Sequence, residues 1–177
     1  YHFTATVYYL ASMLKAKELS YPRTITFSGN GSRYIDQYIT SNETLLTEAT
    51  HLVMSRVFGT EISDIQLVLP GIRKESTCYG GLYHKEGTPQ PKSVVYYGDG
   101  SAYECEDVNE LVNKYKTGIK ANVINEIEAM NNVYKEVLGL LIRKGAVSGQ
   151  IVADKVLDLV NTGIADVLDS KLQTEII

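Results

Sequence analysis

Tryptophan is absent from this chain of 177 residues, and cysteine, histidine and proline are scarce. The two cysteines, Cys78 and Cys105, stand far apart and make no disulfide framework. They fit reduced thiols in a cytoplasmic protein. His2, His51 and His84 are scattered, and with the cysteines they give no metal-ligand spacing. No apolar run approaches the length of a membrane span. The formal net charge is −4, so the chain has no general attraction for nucleic acid or an acidic membrane. A signal-peptide pattern and an initiator Met are also missing, and the first residues already read as a helix. The expectation is a piece of a longer protein.

What is present is the composition of a folded domain. Hydrophobic residues make up 44% of the chain and charged residues 21%, and its length suits one core. Phe3, Val7, Leu10 and Leu14 are spaced as one face of a helix over about 2–18, ended by Tyr21-Pro22. The β-branched run Thr24-Ile25-Thr26-Phe27 reads as a short buried strand. Ser28-Gly29-Asn30-Gly31-Ser32 is a turn, and Ser32 can cap a helix over about 33–40. A second helix fits 43–58, with Leu45, Ala49, Leu52 and Arg56 on one face, and Gly59 ends it. Residues 65–69 form a second apolar strand closed by Pro70-Gly71, and the small residues of 74–84 suit a tightly packed helix.

The stretch 85–92 holds two prolines and no periodic apolar residues, which marks a linker or surface loop. Around Asp99-Gly100, residues 94–105 read as a β-hairpin. A long helix follows over about 120–144, with Val123, Ile127, Met130, Tyr134, Val137 and Leu141 on one face and a break at Gly145. Two final helical segments carry Val156 and Leu159, then Ile164, Val167, Leu168 and Leu172. The expected class is α/β and helix-rich. It has a short mixed sheet with two parallel strands (24–28 and 65–69), the hairpin, and a C-terminal helical segment.

The turn at 28–32 is the candidate site. A strand that ends in Gly-x-Gly and opens a helix offers free backbone N–H groups at the helix start, where an anion is favoured. Gly29 and Gly31 permit close approach of a ligand, and Asn30 tolerates a left-handed backbone. The motif lacks the third glycine of a dinucleotide fingerprint and the Gly-Lys-Ser/Thr of a phosphate-binding P-loop. By itself it is compatible with a plain strand-to-helix turn.

The order of elements adds to it. A helix, a strand with a small-residue turn, two helices, a second apolar strand and a helix carrying Gly80-Gly81 occupy residues 1–85. Together they resemble the C-terminal lobe of the actin, heat-shock chaperone and sugar kinase superfamily of ATPases. The resemblance implies that Ser28, Gly29, Asn30, Gly31 and Ser32 contact adenosine, and that ATP with magnesium is bound in the parent protein. It also implies that a missing N-terminal lobe of the same protein is the principal partner. Residues 1–177 would then be one lobe, with 1–86 as the ATPase subdomain and 87–177 as a hairpin plus helical extension.

Asn30 stands where the family has a second glycine, and no Asp-x-Gly phosphate loop precedes Tyr1. Gly98-Asp99-Gly100-Ser101 suits a hairpin turn better than a permuted phosphate loop. Without that loop, no ATP turnover and no tightly bound nucleotide are expected of this chain alone. The alternative function is a helical interaction or scaffold module, with a protein partner and no nucleotide. Glu104, Glu106 and Asp107 suit a solvated strand end, and Lys74 with Glu75 an exposed ion pair. Most of the thirteen tyrosines fit the edge of a core.

Overall fold

A computed structural model describes residues 1–28, 43–69, 94–96, 102–104, 108–149 and 153–174. In chain order these form α1 (His2–Ala16), β1 (Thr24–Thr26), α2 (Glu43–Phe58), β2 (Gln66–Val68), β3 (Val94–Tyr96), β4 (Ala102–Glu104), α3 (Val108–Arg143) and α4 (Ala153–Thr174). The class is α/β with helices in the majority. Among the described residues no helix is long and apolar enough to cross a membrane.

β1 and β2 pair in parallel, Thr24 opposite Gln66, Ile25 opposite Leu67 and Thr26 opposite Val68. Parallel neighbours cannot be joined by a tight turn. The chain between them therefore makes a long crossover, and α2 is its described part. β3 and β4 pair antiparallel, Val94 opposite Glu104, as the alternating β-prone residues on either side of Asp99-Gly100 predict. Among the described residues the parallel pair and the hairpin are separate two-stranded sheets.

The main core joins α1, α2, β1 and the C-terminal half of α3. Val7, Ala11, Ile25, Ala49, Val53, Met54, Ile62, Ile65, Val133 and Val137 are its buried members. The face that α1 buries is turned from the one its large apolar residues predict. Thr4, Val7, Ala11 and Ser12 are buried, whereas Phe3, Leu10 and Leu14 are only partly so. Small side chains at a helix contact allow a short interaxial distance, and α1 presents them to the Ala49–Val53 face of α2. Arg56 is likewise turned outward from α2 and meets Glu136 of α3 at 2.6 Å. The Lys15 ammonium donates to the Val57 carbonyl at 2.8 Å and so supplies a cap at the end of α2. Gly59 follows in the left-handed region at φ +74°, as a helix C-terminus favours.

α3 begins about a turn after the hairpin, earlier than its apolar pattern predicts, and runs for 36 residues. Met130, Val133, Tyr134, Val137 and Leu138 are buried. Val123, Ile127 and Leu141, expected on that face, are half-buried. For Val123 and Ile127 the reason is coverage, since the main core meets α3 from Val133 onward; Leu141 packs at the edge of that core. α4 is one continuous helix rather than two segments, and Gly163 sits inside it with open space where a Cβ would stand. Leu157 joins Tyr134 and Leu138 in a second core cluster.

A polar chain crosses this second cluster. The Tyr1 hydroxyl donates to Asn131 Oδ1 at 2.9 Å, and Asn131 Nδ2 donates to Asn161 Oδ1 at 3.1 Å. The Tyr1 ring packs edge-on against Tyr134 with centroids 5.1 Å apart. Burial first, and then the neighbouring Tyr134, hold the Tyr1 hydroxyl above the ordinary tyrosine range, so it remains a donor. Among the described residues no buried side-chain polar atom lacks a partner.

Among the described residues Met54 is the largest fully buried side chain, at 0% exposure. Met54→Ala is expected to cost about 2–5 kcal/mol in urea unfolding. Leu159→Ala, at a side chain that is 77% exposed, is expected to change stability by less than about 0.5 kcal/mol.

Candidate functional site

The candidate site begins where β1 ends. Ile25 points into the core while Thr24 and Thr26 face out, the alternation of a strand with one covered face. The ladder continues one residue beyond the strand at each end. Gln66 N–H donates to the Arg23 carbonyl at 2.8 Å, and Phe27 N–H donates to the Val68 carbonyl at 3.1 Å. Phe27 also stacks on Phe3 of α1, with centroids 5.6 Å apart. Backbone and ring together fix the residue from which the turn departs.

Ser28 follows at the carboxyl end of β1 and is exposed. Gly29, Asn30, Gly31 and Ser32 lie outside the described residues, as does the helix predicted over 33–40. β2 runs the same way, so Leu69, followed in sequence by Pro70-Gly71, leaves the sheet at the same edge. In an open parallel sheet ligands bind beyond the carboxyl ends of the strands, because the loops that depart there can diverge around a crevice. Both strands therefore end at the same edge of the sheet.

β2 is held at its start by groups that apolar periodicity does not reveal. His51 Nε2 lies 2.8 Å from the Ile65 carbonyl. A carbonyl only accepts, so this nitrogen carries the proton. Ser55 Oγ accepts from Ile62 N–H at 2.9 Å. Ile62 and Ile65 are buried beside these bonds. The available signal was spacing: His51 and Ser55 lie four apart, one turn, on the helix that precedes the strand.

A shallow open depression of about 440 Å³ lies elsewhere, lined by Ser55, Arg56, Gly59, Thr60 and Glu61 among others. These residues precede β2, which puts the depression toward the amino end of the sheet. Its one guanidinium is already engaged by Glu136. It offers no convergent set of polar groups for a small ligand.

Lys74, Glu75, Cys78, Gly80, Gly81, Gly98, Asp99, Gly100, Ser101, Cys105, Glu106 and Asp107 lie outside the described residues. Among the described residues no group of three or more His, Cys, Asp or Glu is placed to hold a metal.

His51→Ala leaves the buried Ile65 carbonyl without its donor. The expected cost is about 1–3 kcal/mol in urea unfolding. Amide exchange at Gln66 and Phe27 is expected to accelerate more than exchange in α4, read by NMR. Equal acceleration throughout the chain would show that the bond does not act locally on the sheet.

No protein-family model matches the chain, and neither a curated protein nor a solved structure matches it.

Proposed function

We propose that this chain is a nucleotide-binding lobe of an actin-like ATPase, contributing adenosine contacts from the turn at residues 28–32. The observation that carries the reading is the parallel register of β1 and β2. It sends the Gly-Asn-Gly segment and the Pro-Gly segment away from one edge of the sheet. The crossover between the strands contains a helix, the local plan shared by sheets that bind at their carboxyl edge.

The chemistry follows from the residue types. Backbone N–H groups in a glycine-containing turn, at the start of a helix, bind electron-rich groups without a side chain intervening. The hydroxyls of Ser28 and Ser32 can donate to ribose or phosphate oxygens. The described residues offer no carboxylate cluster for magnesium. In this proposal the metal and the groups around the γ-phosphate come from an N-terminal lobe of the parent protein, as the resemblance implies. The chain supplies binding and orientation of the nucleoside and no step of phosphoryl transfer. Its two distant cysteines suit a reducing cytoplasmic setting.

A half-site makes half of the contacts and still costs the ligand its translational and rotational freedom, so ATP should bind this chain weakly. Titration of ATP into the labelled chain is expected to shift the amides of Phe27 and Ser28 and of residues 29–32. In the full-length parent, calorimetry is expected to show that Gly31→Val abolishes ATP binding. Equal affinities for parent and variant, with no shifts at this edge, would mean that the turn is only a turn. A helical scaffold would then be the better account.

A further inference from the structure

We draw no further inference here: the strongest candidate, the groove between α3 and α4 walled by Ile124, Ile127, Ile164 and Leu168, carries nothing because nothing in the structure shows what covers it.

Discussion

The parallel pairing of two three-residue strands constrains most of the arrangement. Parallel strands exclude a direct turn, so the chain must leave at the carboxyl edge of β1, travel the length of the sheet and re-enter β2 at its amino edge. α2 performs part of that return, and its Ala49–Val53 face then becomes the surface on which α1 packs. A pair of strands this short has few ladder bonds of its own. Its position therefore depends on the groups around it. Phe27 stacks on Phe3, His51 bonds to the Ile65 carbonyl, and Ser55 receives the Ile62 amide. The same constraint separates the two ends of the sheet chemically. The amino edge is tied to α2 by hydrogen bonds, whereas at the carboxyl edge the described residues end at the exposed Ser28 and at Leu69.

The helical remainder is organised differently. α3 is shared, its C-terminal half serving the main core on one side and the Tyr134–Leu138–Leu157 cluster on the other. Ion pairs tie it down from outside, Arg56 with Glu136 and Lys144 of the following turn with Glu48. Such exposed pairs contribute little energy individually. The part-buried Tyr1–Asn131–Asn161 chain is geometrically more selective, because a slip of α4 along α3 would part the buried Asn131 amide from its acceptor.

Much of this was legible in the residues. α2 occupies the span that its apolar spacing and Gly59 mark out, and both parallel strands lie within the runs 24–28 and 65–69. The described hairpin strands lie within 94–105. Three features were not legible, for physical reasons. The buried face of α1 is set by Thr4, Ala11 and Ser12, whose value lies in small volume and is invisible to a hydrophobicity pattern. The start of α3 at Val108 precedes its apolar stripe, because helical hydrogen bonding can continue where burial does not. The unity of α4 across Gly163 reflects the modest cost of one glycine, about 1 kcal/mol, within a helix of 22 residues whose backbone hydrogen bonding is cooperative. Of the candidate site, Ser28 alone falls among the described residues, exposed two positions beyond the end of β1. His51 and Ser55 were missed because one polar pair four residues apart looks the same in sequence whether it faces solvent or a neighbouring backbone.

The central claim is that the carboxyl edge of the β1–β2 sheet faces an adenine nucleotide. Photolabelling with an azido-adenosine triphosphate, followed by peptide mapping, tests it most directly. The account predicts that the label falls on the peptide holding residues 24–32, with a second portion on the segment that follows Leu69, and that excess ATP removes both. Label confined to α3 and α4, or label that ATP does not displace, would contradict it.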